Sequence, residues 1–203
     1  MPEKQVTIQS SGLKLEGLLG ENDGEKAVVV THPHPLYGGS MRNNVVGAIV
    51  EAYQKAQYTT LRFNFRGVEG SQGSYDNGVG EQQDVEAALQ YLVSLKKKPI
   101  DLAGYSYGAF VNALGIDIFQ QATRLVMVAP PVSFIDFGFL DRSAKIELVI
   151  AGTNDSYGPP AEIERLLPKW NREAKLVVVE DADHFFGNHT AKLVDILSAF
   201  LNK

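Results

Sequence analysis

Gly104-Tyr105-Ser106-Tyr107-Gly108 has the spacing G-x-S-x-G, a serine with a glycine two positions to either side. A serine set in a sharp strand-to-helix turn keeps its hydroxyl exposed on a strained backbone, and the flanking glycines leave room for that turn. The helix that follows turns backbone N–H groups toward the hydroxyl. Such a serine becomes a nucleophile once a base takes its proton and a third group orients the base. The plain alternative is a glycine-lined turn with a capping serine, so the partners decide.

In an elbow of this kind the chain order is serine, acid, histidine. Only His184 and His189 follow Ser106. His184 lies directly beyond the last expected strand, whereas His189 precedes the closing helix and reads as a cap or surface residue. Asp155, just past the strand Ile146–Ala151, is the expected acid; it would accept the N–H of His184 and select the tautomer that receives the Ser106 proton. Alone, Asp155 would read as an Asx-turn residue beside Gly152. Asp183 adjoins His184 and is poorly placed to face its imidazole, so it fixes the loop or is solvated.

Acyl transfer also needs donors for the developing oxyanion. The N–H of Tyr107 is one. The other is expected from the loop His32-Pro33-His34-Pro35-Leu36-Tyr37-Gly38-Gly39. Proline has no N–H, which leaves His34 or Leu36; Leu36 is favoured because the prolines stiffen its approach and the glycines let its N–H turn inward. Tyr37 is placed at the substrate rim. The stretch Pro130–Arg142, with Phe134 and Phe137, either flanks the cleft and accepts an apolar group or is a core-packed connector.

Other chemistries fit poorly. His32 and His34 would point to opposite sides of an extended chain and have no carboxylate cluster beside them, so ring hydrogen bonds supporting the loop are expected in place of a metal site. The loop Asn64–Ser74 lacks the spacing G-x-x-x-x-G-K-[ST] of a phosphate loop. Its Arg66 is expected to brace neighbouring loops, with recognition of a substrate carboxylate as the alternative. There is no cysteine, which removes disulfides and thiolate chemistry. With Lys and Arg at 19 against Asp and Glu at 24, and no basic run longer than Lys96-Lys97-Lys98, a nucleic-acid face is not expected. The lysine run reads as the end of a helix, where cations suit the dipole. The N-terminus lacks a signal-like apolar stretch and no run reaches membrane-spanning length, so a soluble cytoplasmic protein without membrane insertion is expected. Composition sets no oligomeric state.

The elements that must position these residues alternate along the chain. Strands are expected at Val6–Ser10, Leu13–Leu19, Ala27–Thr31, Thr59–Asn64, Pro99–Ala103, Arg124–Ala129, Ile146–Ala151 and Lys175–Glu180. Helices are expected at Asn43–Lys55, from near Val79 to Lys97, from the elbow to about Gln120, at Pro160–Leu167 and at Thr190–Leu201. This is a layered α/β pattern in one domain over residues 1–203, with 44% hydrophobic residues to fill its core. Crossover helices gather loops at the carboxyl ends of the strands, where function belongs.

Taken together, the elbow Gly104–Gly108, Asp155, His184, the His32–Gly39 loop and the arginine- and glycine-bearing loop Asn64–Gly73 resemble the α/β-hydrolase superfamily. His32-Pro33-His34-Pro35 followed by Gly38-Gly39-Ser40-Met41 is similar to small bacterial hydrolases of dienelactone-hydrolase and peptidase-like branches. The resemblance implies a three-layer fold, with helices on both faces of a mostly parallel eight-stranded sheet that has an antiparallel edge. The short Pro130–Lys145 connection, where larger relatives insert a lid, implies an uncapped cleft. The resemblance also implies a serine hydrolase acting on a small acyl-containing substrate without a cofactor. An ester is expected, with thioester or amide and peptide chemistry as alternatives and a silent binding or scaffold protein as the reading from another class.

Overall fold

Runs of β-branched residues make the centre of the molecule. In the computed structural model, which describes residues 1–202, Ala27–Thr31 is buried along its whole length. Such a strand needs a covering layer on each side. Val28 and Val30 face one layer, while Ala27 and Val29 face the other. Each fully buried valine contributes on the order of 1.5 kcal/mol of apolar burial.

Eight strands form one sheet: β1 (Lys4–Ser10), β2 (Leu13–Gly20), β3 (Ala27–Thr31), β4 (Thr59–Phe63), β5 (Ile100–Tyr105), β6 (Ala122–Val128), β7 (Ile146–Gly152) and β8 (Lys175–Val179). Their spatial order is β1-β2-β4-β3-β5-β6-β7-β8. β1 and β2 pair antiparallel, as do β2 and β4, and every later pair is parallel. α1 (Asn44–Lys55) and α5 (Thr190–Leu201) cover one face, packing on Val28, Val30, Val126 and Ile150. α2 (Val79–Ser94), α3 (Tyr107–Gly115) and α4 (Pro160–Trp170) cover the other, against Val29, Leu61, Leu102 and Met127. This is the three-layer arrangement expected, and residues 130–145 hold no helix above the sheet.

Three boundaries move for identifiable reasons. α3 stops at Gly115 and not near Gln120, because the Phe119 ring folds back over Gly115 and occupies the space of a side chain there. α4 runs past Leu167 through Pro168, and the turn it gains buries Trp170. The lysine run is not a helix end facing solvent: α2 closes at Ser94, and the Lys97 ammonium donates to the carbonyls of Asn22 and Gly24 at 2.6 and 2.7 Å. Among the described residues no helix is long and apolar enough to cross a membrane.

Candidate active site

β5 delivers Ser106 into the turn before α3. Ser106 has φ +54° and ψ −116°, a conformation that L residues avoid and that persists only where its surroundings hold it. They do so on three sides. The Ser106 N–H donates to the Val128 carbonyl at 2.9 Å. A side chain at Gly104 would meet the Ala109 backbone nitrogen at 2.5 Å, and one at Gly108 the Thr31 carbonyl oxygen at 2.6 Å. Both glycines of the motif are therefore required by close backbone approach.

The ends of β7 and β8 bring the other two residues. Ser106 Oγ lies 2.9 Å from His184 Nε2. His184 Nδ1 lies 2.9 and 3.0 Å from the two carboxylate oxygens of Asp155. A carboxylate only accepts, so the imidazole carries its hydrogen on Nδ1 and offers Nε2 as acceptor to the serine hydroxyl. Asp155 is itself held: its Oδ1 accepts the N–H groups of Tyr157 and Gly158 at 2.9 and 2.8 Å. All three residues are buried. Such a chain of hydrogen bonds can move a proton off a serine hydroxyl as it attacks.

The histidine loop is anchored at successive carbonyls. Tyr105 donates its hydroxyl to His184 O at 3.0 Å, and Asn44 Nδ2 donates to Phe185 O at 3.1 Å. Burial, aided by Asp155 and Asp183, keeps the Tyr105 phenol protonated well above its usual range. Asp183 does not face the imidazole; its carboxylate accepts the Phe185 N–H at 3.0 Å and fixes the loop.

On the opposite side, Tyr107 is the first residue of α3, so its N–H lies outside the helical ladder. Leu36, expected to supply the second donor, does not fit that role. Its N–H is taken by His34 Nδ1 at 3.2 Å, which caps the short turn Pro35–Tyr37, and Leu36 is 66% exposed and outside the cleft lining. The His34 N–H has no hydrogen-bond partner among the described residues. Its peptide is held at the carbonyl end by a ring that is itself fixed. His32 Nδ1–H donates to Pro33 O at 2.7 Å while His32 Nε2 accepts the Phe65 N–H at 3.0 Å. Across a trans peptide the next N–H points away from that carbonyl, so the clamp also aims the His34 N–H. Gly39 packs so closely on this peptide that a Cβ would lie 2.1 Å from Pro33 O.

Burial lowers His32 to about 4, and its two hydrogen bonds suit only the neutral ring. Burial lowers His34 as well, and its Nε2 meets the Tyr75 hydroxyl at 3.3 Å. The ring nitrogens of His32 and His34 are thus engaged within the protein. No three His, Cys, Asp or Glu side chains converge as metal ligands among the described residues. Arg66 braces the fold: its backbone N–H and guanidinium bind buried Asp84 at 2.8–3.0 Å, and Asp84 also accepts from Ser10 Oγ at 2.7 Å.

A cleft of about 480 Å³ opens over Ser106 and His184. Tyr37 and Phe134 line it and are largely exposed. Phe137 does not: it is 2% exposed and packs against Phe110, Phe139 and Trp170. The two readings of the Pro130–Arg142 stretch therefore divide it between them. Sequence reasoning missed Tyr157 and Phe185, whose rings lie 4.7 and 5.5 Å from the His184 ring. Their positions beside Asp155 and His184 were the available signal.

No family model matches the chain. It is 32% identical to an uncharacterized protein of Rickettsia prowazekii (strain Madrid E), over 97% of this chain and 88% of that one. Among solved structures it is similar to an alpha-beta serine hydrolase homologue from Coxiella burnetii, at 34% identity and TM-score 0.91, covering 99% of this chain and 98% of that one. A serine hydrolase without a lid from Xanthomonas campestris matches at 30% identity and TM-score 0.88, over 100% and 95% of the two chains. Similarity at that level along almost the whole length means that the chain belongs to the α/β-hydrolase superfamily.

Proposed function

We propose that the protein is a serine hydrolase that cleaves a small carboxylic ester through an acyl-enzyme intermediate, with Ser106 as nucleophile, His184 as base and Asp155 as the group that orients it. The observation that carries this reading is the continuous contact from Ser106 Oγ to His184 Nε2 at 2.9 Å and from His184 Nδ1 to Asp155 at 2.9 Å.

His184 takes the Ser106 proton as Oγ attacks the carbonyl carbon. The negative charge that forms on the carbonyl oxygen is met by the N–H groups of Tyr107 and His34, His34 replacing Leu36 as second donor because its N–H is free and its peptide is clamped. The ester C–O bond breaks as His184 gives its proton to the departing alcohol. Water then attacks the acylated serine, losing a proton to His184, and the acid leaves as Ser106 regains its hydrogen. The reading rests on residues of a single domain and calls on no cofactor.

A serine-directed fluorophosphonate tests the nucleophile, and a panel of short esters, thioesters and aminoacyl amides ranks the leaving groups. Stoichiometric labelling of Ser106, none in Ser106→Ala, and turnover greatest on esters are expected. An unlabelled but folded protein points to the binding or scaffold reading. Unchanged turnover in Ser106→Ala rejects the assignment.

A further inference from the structure

The two walls of the cleft differ in character. Among the described residues no lysine, arginine, aspartate or glutamate lines it. The arginines of neighbouring loops are committed elsewhere, Arg66 to Asp84 and Arg42 to Glu16 and Glu69. On one side are Pro33, Tyr37, Gly38 and Gly39. On the other is an aromatic wall that begins at the base itself. Tyr157 lies over the His184 ring at 4.7 Å, Phe185 meets that ring edge-on at 5.5 Å, and Phe134 contacts Tyr157 edge-on at 5.7 Å. Phe134 and Phe185 remain mostly exposed, so the wall has open apolar area that a bound ring would cover.

Which part of a substrate meets this wall follows from the proton's path. His184 Nε2 delivers its proton to the leaving oxygen, so groups packed on the imidazole flank the departing alcohol. The N–H groups of Tyr107 and His34 lie toward the carbonyl oxygen instead. Resting on the ester-hydrolase reading above, we propose that the wall of Phe134, Tyr157 and Phe185 selects an uncharged, flat alcohol portion of arylmethyl type and rejects esters carrying a carboxylate there. A ring gains edge and offset contacts with three others. A carboxylate in the same place loses water and finds no cation.

Benzyl acetate and 4-carboxybenzyl acetate test this directly, since they share the acyl group and release alcohols of nearly equal acidity; ethyl acetate is the reference without a ring. Benzyl acetate is expected to exceed 4-carboxybenzyl acetate in kcat/KM by roughly 100-fold and ethyl acetate by about 10-fold. Phe134→Arg, a change at an exposed side chain, is expected to narrow the neutral-to-carboxylate ratio at least about tenfold, and Phe185→Ala to lower the benzyl-to-ethyl ratio. Equal turnover of the neutral and anionic esters, or a ratio that Phe134→Arg leaves unmoved, overturns the proposal. If Ser106 is labelled by fluorophosphonate and short esters are turned over without discrimination, this proposal alone fails. If there is neither labelling nor turnover, the ester-hydrolase reading fails and this one with it.

Discussion

Tyr105 donates its hydroxyl to the main-chain carbonyl of His184 across 3.0 Å. One pentapeptide thereby sets both sides of the Ser106–His184 contact: Ser106 by the turn, and the histidine loop by the residue before it. Tyr105→Phe keeps the ring and removes the donor, leaving a buried carbonyl unpaired. We expect a loss of about 1 kcal/mol of stability, together with a roughly tenfold fall in kcat at nearly constant KM as the imidazole drifts. Steady-state kinetics beside thermal melts check it; a lowered melting temperature with unchanged kcat would reduce the bond to a structural one.

Asp155→Asn separates charge from shape. The Tyr157 and Gly158 N–H groups bind Oδ1, so an asparagine oxygen stays with them and its NH2 faces His184 Nδ1. The ring must then carry its hydrogen on Nε2 and can no longer accept from Ser106. A fall in kcat on the order of 10³–10⁴ is expected, by analogy with the serine-protease aspartate. Retention of more than a tenth of the rate would refute the orienting role.

Gly39→Ala should act on the oxyanion side without touching Ser106. The new Cβ would sit 2.1 Å from Pro33 O, so the peptide carrying the His34 N–H must shift. Loss of one such donor costs about 100-fold in kcat. Gly47 in α1 has nothing within 4 Å of a Cβ, and Gly47→Ala is expected to stabilise the fold by about 0.5–1 kcal/mol. Turnover and denaturation curves of the pair distinguish a local displacement from a general effect of adding a methyl group.

His32 makes stability depend on pH. In the folded chain it titrates at about 4 and in the unfolded chain near 6.5, so the unfolded chain takes up the proton first as the solution is acidified. The contribution is complete above pH 6.5 and drains away as pH falls toward 4, amounting to about 3 kcal/mol. Urea denaturation of the wild type and His32→Asn at pH 7.5, 5.5 and 4.5 should show the wild type losing the larger share; parallel curves would exclude His32 as the source.

Much of this was legible in the chain because its causes are local. The valines of β3 declare a strand buried on both faces, and Gly104 and Gly108 declare the turn around Ser106. His184 and Asp155 could be picked out because chain order and strand ends restrict the choice. What escaped depends on side chains folding back. The Leu36 N–H is lost to a ring two residues earlier, which no spacing rule reveals, while the His34 N–H is left without a partner among the described residues. Phe134 and Phe137 have the same chemistry in an irregular stretch without a period, so only contact with Trp170 shows which one turns inward. Lys97 looked like a helix-end cation until the carbonyls of a distant loop supplied its partners.

The sheet order has a consequence for how such a protein can diversify. Ser106 follows β5, Asp155 follows β7 and His184 follows β8, so the strand between the first two, β6, contributes no member of the reacting group. Its outgoing segment nonetheless emerges between the serine and aspartate loops, with Pro131, Phe134 and Ile135 on the cleft. On the proposed reading, exchange of the exposed Phe134 would alter which molecules reach the serine without replacing any residue of the proton path. Part of the preference is then carried by a segment that supplies none of the three residues doing the chemistry, so it can change while Ser106, Asp155 and His184 stay as they are.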